Sequence, residues 1–440
     1  MYLKRTVLRL IPVMILLCFI LQLQTMTPSS AETSSGTDLR YNMSYIYFGS
    51  SGSYIRHVDQ AKGSLDEISP NYFNLNKDGT LALTPALDKA FIDEMHHRGI
   101  SVVPFLSNHW DREIGQAALN RREELAEQIA EVIEQYDLDG INVDLENLVE
   151  TDRDRHTDLV RLLKEKLPDE KMIAVSVAAN PFGITTGWKG SYDYEGLGIH
   201  SDYLMIMAYD EHYQGSSPGT IASLGLAEKS IQYALGKVPK EKVVLGIPFY
   251  GRIWKNGSGF PQGAGIGNTE VQALIQQYRG SVTFDSETST PFATITVEKK
   301  DKKLKVGGQL IDAGTYTIWF ENERSIKQKL QLIEKYGIKG TGSWSLGQET
   351  ADTWDYYKLW SNGCHFSDVG NHWARDYILR AYKKNWVMGA SQTSFYPDRP
   401  LSRAEAAAML VRLLELPLHS EEKSAFADSF GHWAQAEIDT

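Results

Sequence analysis

The densest run of side chains able to do chemistry is Asp139-Gly-Ile-Asn-Val-Asp-Leu-Glu146. Read as a strand, its residues alternate between two faces. Ile141, Val143 and Leu145 then meet an apolar layer, while Asn142, Asp144 and Glu146 line up on the other face towards the strand's C-terminal end. Burying unpaired carboxylates is costly, so an ordinary buried strand does not carry such a row. It is tolerated where carboxyls share protons and hydrogen bonds, which also raises the pKa of one of them and fits it for general acid work. The competing reading is a solvated strand edge or an Asx-rich turn, and the clean apolar alternation speaks against it.

The elements around this run alternate strand and helix. Residues 41–48 read as a strand. Residues 85–97 read as a helix with Thr84 as N-cap and Gly99 just past its end. A strand over 100–106 ends in Ser107-Asn-His-Trp110, and 118–136 reads as one long amphipathic helix, with Leu119, Leu125, Ile129, Val132 and Ile133 at helical spacing. A helix over 152–167, stopped by Pro168, leads to apolar strands over 172–179 and 203–208. A helix over 224–235 and a strand over 243–249 follow. The series ends with a helix over 326–336 closed by Gly337, a strand over 338–345 and a helix over 353–360.

With a short strand over 71–75, this makes about eight strands alternating with helices, an α/β pattern that predicts a (β/α)8 barrel. Such barrels carry their working groups at the C-terminal ends of the strands. Asn108, His109, Glu146, Asn180, Tyr209, Asp210, Tyr250, Arg252 and Trp344 all fall at or just beyond those ends. His96 and His97 sit in a helix beside Arg98 and read as surface residues rather than ligands. Short Thr- and Lys-rich alternating segments, such as 292–299 and 303–306, predict a small α+β insertion after the seventh strand. It would span about 252–318 and wall one side of a groove.

The 440 residues allow one large domain and part of a second, and 42% apolar content supports a full core. Forty-five basic against 56 acidic residues, net −11, argue against nucleic acid as the main partner. Residues 1–31 read as a signal peptide: Lys4, Arg5 and Arg9 precede an apolar run from Leu10 to Leu23, and small residues before Ala31 suit cleavage. That run is short for a membrane span of about 20 residues. A linker is expected over 32–38 and the barrel over 39–362. Cys18 falls in the signal, which leaves Cys364 without a partner for a disulfide or a thiolate metal cluster.

From Cys364 the composition shifts. Phe366-Ser-Asp-Val-Gly-Asn-His-Trp-Ala374 recurs as Phe426-Ala-Asp-Ser-Phe-Gly-His-Trp-Ala434. This predicts a helical repeat region over 363–440, with one complete repeat and a second truncated at Thr440. Trp373 and Trp433 read at least as much as helix-packing residues as ligand contacts.

Four motifs in order, covering about residues 40–360, resemble glycoside hydrolase family 18, the chitinases and N-acetylglucosaminidases built on a (β/α)8 barrel. Asp139-x-x-Asn142-x-Asp144-x-Glu146 is similar to the family's DxxDxDxE signature, and Met207-Ala-Tyr-Asp210 to its strand-six M-x-Y-D. Leu245-Gly-Ile-Pro-Phe-Tyr-Gly-Arg252 resembles its strand-seven segment, and Gly342-Ser-Trp344 its strand-eight tryptophan. Asn142 departs from the usual aspartate and resembles the branch that acts on bacterial spore and cell-wall peptidoglycan, where D-G-x-N-x-D-x-E is frequent. It removes one ionisable group but keeps a hydrogen-bonding side chain. The repeat from Phe366, with Trp373 and Leu401-Ser-Arg-Ala-Glu405, resembles an S-layer homology (SLH) module.

The first resemblance implies a substrate-assisted retaining mechanism. Glu146 would act as general acid and then base, with its pKa raised by Asp144 and by burial. Asp144 would orient the acetamido N–H, held by Asn142 and Asp139, and Tyr209 would donate to the acetamido oxygen. Trp344 would floor the sugar, with barrel packing as its other reading. Met207, Asp210, Tyr250, Arg252 and Asn108 are the expected substrate contacts, with structural ion pairs or hydrogen bonds as the other reading for Asp210, Tyr250 and Arg252. No metal or cofactor is needed. The expectation is a secreted, monomeric enzyme of the bacterial cell wall. It would cleave β-1,4 bonds after N-acetylglucosamine in peptidoglycan or chitin-like polymer, and its SLH repeats would hold secondary cell-wall polymer. A non-catalytic glycan-binding protein is the alternative, with Glu146 as the discriminator, and a passive surface spacer is a third reading.

Overall fold

The central run forms the fourth strand of a closed barrel in the computed structural model, which describes residues 39–440 apart from 258 and 419–425. The expected signal peptide and the linker before residue 39 lie outside the described residues. The barrel strands are β1 (Tyr41–Ile46), β2 (Glu67–Pro70), β3 in two pieces (Ser101–Val102 and Phe105–Ser107), β4 (Gly140–Asp144), β5 (Met172–Ala178), β6 (Tyr203–Met207), β7 (Val243–Pro248) and β8 (Gly340–Trp344). Neighbours pair in parallel, and β8 closes the ring on β1 with Tyr41 opposite Gly340. The first piece of β3 pairs with β2 and the second with β4. The break falls at Val103-Pro104, because proline has no N–H for the ladder. The Pro104 carbonyl still accepts from Asn142 N at 2.9 Å, so the barrel stays closed.

Strands buried on both faces need apolar residues on both, and β5 and β6 supply them almost without interruption. Inside, Met43, Tyr45, Phe105, Tyr203, Met205 and Met207 fill the lumen. Gly342 and Gly246 make room for them. A Cβ at Gly342 would lie 2.6 Å from Met43 Sδ, and one at Gly246 3.0 Å from the Tyr209 ring. At the barrel floor, buried Glu67 accepts hydrogen bonds from Tyr41 and, at 2.7 Å, from Tyr203, while burial pushes its carboxyl up to about 7.

Three expectations are corrected. The second strand is Glu67–Pro70 rather than 71–75. Phe73–Leu75 instead pairs with Leu81–Leu83 in a hairpin beside β3. The Tyr72-Phe73 pair signalled burial, and burial is not barrel membership. The helix expected over 85–97 is Lys89–His97, capped by Asp88, whose carboxylate accepts from Ala90 N at 2.9 Å. Thr84 donates instead to Asn71 O at 2.6 Å. The single long helix is two, Arg112–Asn120 and Arg122–Tyr136, because Arg121 leaves the helical path at φ −111°.

After β7 the chain builds the expected insertion. Its five-stranded antiparallel sheet runs in the order Gln262–Gly267, Tyr250–Lys255, Gly314–Trp319, Thr290–Val297 and Ser281–Asp285, with helix Asn268–Tyr278 alongside. Ile253, Val271, Leu274, Ile295 and Ile318 form a core separate from that of the barrel.

The C-terminal helices are Arg375–Lys383, Arg403–Leu413 and Gln435–Asp439. Both copies of the repeated motif make the same turn, with Ala374 N donating to His372 Nδ1 and Ala434 N to His432 Nδ1, each at 3.2 Å. Arg375 donates to Lys62 O at 2.7 Å and Lys358 pairs with Asp376 at 2.8 Å, which docks the first copy on the barrel. The two tryptophans are not packing residues here: Trp373 is 82% and Trp433 63% exposed.

Candidate active site

Parallel pairing brings Tyr45, Asn142 and Ser176 to neighbouring positions in the lumen. Asn142 Nδ2 donates to Tyr45 Oη at 2.9 Å, its Oδ1 accepts from Ser176 Oγ at 3.0 Å, and the two hydroxyls lie 2.6 Å apart. Every polar atom of this ring therefore has a partner. Asp144 comes next along β4. It is 5% exposed, and its Oδ1 has no hydrogen-bond partner among the described residues. Burial raises its pKa, and the Ser176 hydroxyl offsets part of that rise. The Glu146 carboxyl is held well above the ordinary value, first by burial and then by the negative charges of Asp144 and Asp210. Burial and the repulsion between the two carboxylates both favour the protonated forms.

Glu146 lies beyond the end of the strand and needs another anchor. Asn108, just past β3, supplies it. Its Oδ1 accepts from Glu146 N at 2.9 Å, and its Nδ2 donates to Glu146 O and Asp111 O, each at 2.8 Å. Asn108 is 1% exposed. Its amide is thus spent on the backbone at Glu146 and Asp111 rather than free for the sugar contact expected from sequence. Gly115 makes the clamp fit, since a Cβ there would stand 2.9 Å from Asn108 Nδ2.

Asp139 is likewise corrected. It precedes β4 at the other end of the strand, roughly 16 Å from Asp144 at strand rise. Its Oδ2 accepts from Val102 N at 2.6 Å and meets His96 Nε2 at 2.8 Å. It therefore does not hold Asp144, and His96 has a partner inside the fold. Asn142 does not touch Asp144 directly either, since its contacts go to Tyr45 and Ser176.

Asp210, Tyr250 and Arg252 come together as one cluster. Arg252 forks onto Asp210, Nε to Oδ1 at 2.9 Å and Nη2 to Oδ2 at 2.8 Å, while Tyr250 Oη donates to Oδ1 at 2.7 Å. Arg252 Nη1 also reaches Gly263 O at 2.8 Å, tying the cluster to the insertion. All three line the cleft, and their ion pair and hydrogen bonds are the structural reading expected for them.

The Tyr209 hydroxyl makes no hydrogen bond among the described residues, and burial pushes its pKa up. Trp344 packs against Tyr45, Tyr47 and Phe105 at ring distances of 5.2, 5.8 and 5.9 Å. A cleft of about 710 Å³ is lined by Asp144, Glu146, Met207, Tyr209 and Trp344, and by Thr269, Glu270 and Gly307 of the insertion. Sequence reasoning missed Tyr45 and Ser176. Both left a signal: Tyr45 shares the period-two face of Tyr41 and Met43, and Ser176 is the one hydroxyl within an apolar strand. Gln348, which accepts from Ser345 N at 3.2 Å at the cleft rim, left none.

Residues 44–349 match the family described as Glycosyl hydrolases family 18, and residues 365–407 match the S-layer homology domain. The first match covers well over half of the chain, which therefore belongs to glycosyl hydrolase family 18. Among curated proteins the chain is similar to the putative sporulation-specific glycosylase YdhD of Bacillus subtilis, 26% identical over 271 residues, 59% of this chain and 60% of the relative. It is also similar to the cortical fragment-lytic enzyme of Bacillus subtilis, 25% identical over 292 residues, 64% of each. The chain thus spans about three fifths of the length of these relatives. Two solved structures share the fold. The spore cortex-lytic enzyme SleL of Bacillus cereus aligns with TM-score 0.64 and 21% identity over 73% of this chain and 74% of that one. A chitinase of Chromobacterium violaceum aligns with TM-score 0.64 and 26% identity over 73% and 98%.

Proposed function

We propose that this chain is a glycosidase of the bacterial cell surface that cleaves β-1,4 bonds after N-acetylglucosamine in peptidoglycan or a related polymer. The observation that carries the reading is a carboxyl pair with raised pKa values in the cleft, beside Asp144 Oδ1, which has no partner among the described residues, and the Tyr209 hydroxyl, which makes no hydrogen bond there. Those atoms suit the two ends of a 2-acetamido group. Asp144 Oδ1 accepts its N–H and Tyr209 donates to its oxygen, while the sugar rests on Trp344.

The chemistry follows from these positions. The acetamido oxygen attacks the anomeric carbon as the glycosidic bond breaks, and Glu146 delivers its proton to the departing oxygen. The anomeric carbon is then closed into an oxazolinium ion whose positive charge Asp144 stabilises. Glu146, now a carboxylate, takes a proton from water as that water opens the ring, which restores the acid and retains configuration.

Peptidoglycan is favoured over chitin by Asn142, by the SLH match and by the two cortex-directed relatives. The SLH match also supports attachment to a cell-wall polymer and a place at the cell surface. The test incubates the wild type and Glu146→Gln with purified peptidoglycan and with chitin oligosaccharides, and mass spectrometry identifies the new reducing end. The expected result is N-acetylglucosamine-ended fragments from peptidoglycan that disappear in the variant. Binding without cleavage of either polymer by the wild type would replace the enzyme with a glycan-binding protein.

A further inference from the structure

Glu146 protonates an oxygen that lies between two parts of a polymer, and the cleft described above serves only one of them. Its lining comes from the β1, β4, β6, β7 and β8 ends and from the insertion. The loops after β3 and β5, the strands on either side of β4, do not contribute to that lining, and they present aromatic surface. Trp110, 50% exposed, follows β3, and half-buried Trp188 follows β5, with their rings edge to face at 4.9 Å.

Trp110 is tied to the residues around Glu146 through its backbone and Trp188 through its ring. Trp110 O accepts from Asn147 Nδ2 at 2.9 Å. Trp188 Nε1 donates to Tyr192 Oη at 3.2 Å, and Tyr192 donates to Leu145 O at 3.1 Å. The Trp188 turn is itself stapled down. Gly187 N donates to Glu150 Oε2 at 2.6 Å, and Arg153 donates to Gly190 O at 2.6 Å and Thr185 O at 3.0 Å. Fixed aromatic faces beside the acid suit a second sugar ring.

Lys189 is the next residue on that turn. Arg112 and Arg153 nearby spend their guanidinium groups on Asn147, Gly190 and Thr185. Lys189 is half-buried, yet its ammonium forms no hydrogen bond or ion pair among the described residues, and the charge that acts on it is Glu211 beyond β6. Glu211 accepts from Ser223 N at 3.0 Å. A partly desolvated cation without a partner is unfavourable in the free protein. In a chain of net charge −11, it is also a point of attraction for an anion on the turn that carries Trp188.

We propose that Trp110, Trp188 and Lys189 form the leaving-side subsite, with Lys189 binding a carboxylate on the C3 substituent of the departing amino sugar. This rests on the glycosidase reading above and sharpens it. A polymer of N-acetylglucosamine alone has no such group. The alternate sugar of peptidoglycan carries a lactyl ether that ends in a carboxyl, either free or joined to an amino acid that supplies its own.

The test measures kcat/KM of the full chain, Lys189→Gln and Trp110→Ala on four tetrasaccharides: neutral N-acetylglucosamine oligomer, alternating glycan with free lactyl carboxyls, the same glycan as the carboxamide, and the same glycan bearing L-alanine. Lys189→Gln should lower the preference for free-acid over carboxamide glycan about tenfold, chiefly through KM, as expected for one charge-assisted contact. The same loss on the alanine glycan assigns the amino-acid carboxyl as well, and a loss there alone assigns it exclusively. Trp110→Ala should lower kcat/KM on all four. An unchanged acid-to-amide preference in Lys189→Gln, with no loss on the alanine glycan either, would overturn the inference while leaving the glycosidase reading intact. A wild type that cuts the neutral oligomer and none of the alternating glycans would overturn this inference together with the peptidoglycan reading.

Discussion

Asp139 and Asp144 stand at opposite ends of one strand, and the barrel gives them opposite surroundings. Asp139 has a side chain 32% exposed and two partners, the Val102 amide and His96. Asp144 is 5% exposed, has one oxygen without a partner, and has Glu146 as its neighbour two residues on. The difference is positional. The N-terminal end of a parallel barrel is where polar groups close the structure, and the C-terminal end is where loops open onto substrate. An acidic motif therefore does not assign roles by its letters; the end of the strand does.

The comparison is broken most severely at Glu146. Replacing it with Gln keeps the shape and the backbone clamp from Asn108 but removes the transferable proton. The expected loss in kcat is about 10²- to 10⁴-fold, the range for a general acid, with KM little changed. Steady-state kinetics on the preferred glycan checks this, and a variant within tenfold of the wild type would move the acid elsewhere.

Asp144→Asn should cost about 10²-fold in kcat by removing the charge opposite the oxazolinium. Its sharper signature is in pH. The Asp144 charge is one cause of the raised Glu146 pKa, so the alkaline limb of the rate profile should move to lower pH in the variant. Stability should respond too. Both carboxyls titrate above their unfolded values of about 4. Between those values and neutrality the folded chain binds protons that the unfolded chain has released, so stability falls as pH rises through that window. Asp144→Asn removes one such group. Its gain in Tm over the wild type should be small near pH 4 and larger at pH 7, as read by calorimetry at both. The reverse order would show that burial of Asp144 is not what raises its pKa.

A smaller effect is expected where the acid is held rather than replaced. Asn108→Ala leaves Glu146 N and O without partners, a destabilisation of about 1–3 kcal/mol. It should lower kcat about tenfold by loosening the proton donor. Gly115→Ala presses on the same amide and should act in the same direction, more weakly. Rates measured at a temperature where both variants stay folded separate positioning from stability. A loss in KM alone would return Asn108 to the sugar contact that its position after a strand first suggested.

How much of this was legible follows from particular residues. The period-two reading placed Asn142, Asp144 and Glu146 on one face because strand alternation is a hard geometric rule. The same rule, applied to Tyr41, Met43 and Tyr45, contained the partner of Asn142. The second strand was misplaced because Glu67 is a buried carboxylate satisfied by two tyrosines from β1 and β6, a solution that exists only once the barrel has closed. Asn108 was found as a strand-end polar residue, but whether its amide faces sugar or backbone depends on Gly115 across a helix contact. Pairings of that kind are set by tertiary packing, and local pattern does not carry them.

Asp139 gives the mildest test and completes the contrast. Asp139→Asn keeps an oxygen able to accept from Val102 N, so the side-chain bond at the join between β3 and β4 survives. What is lost is the charge on that bond and the pairing with His96, at a site open to solvent on one side. The expected cost is about 1 kcal/mol in unfolding free energy, with kcat within about twofold of the wild type. Denaturant titration and kinetics on the same preparation read both quantities. Had Asp139 held Asp144, as its place in the motif first implied, kcat would fall with the alkaline limb displaced, as in Asp144→Asn. A stability loss with an unmoved pH profile separates the two ends of the strand by function, because of these two aspartates Asp144 is the one that acts on the pKa of Glu146.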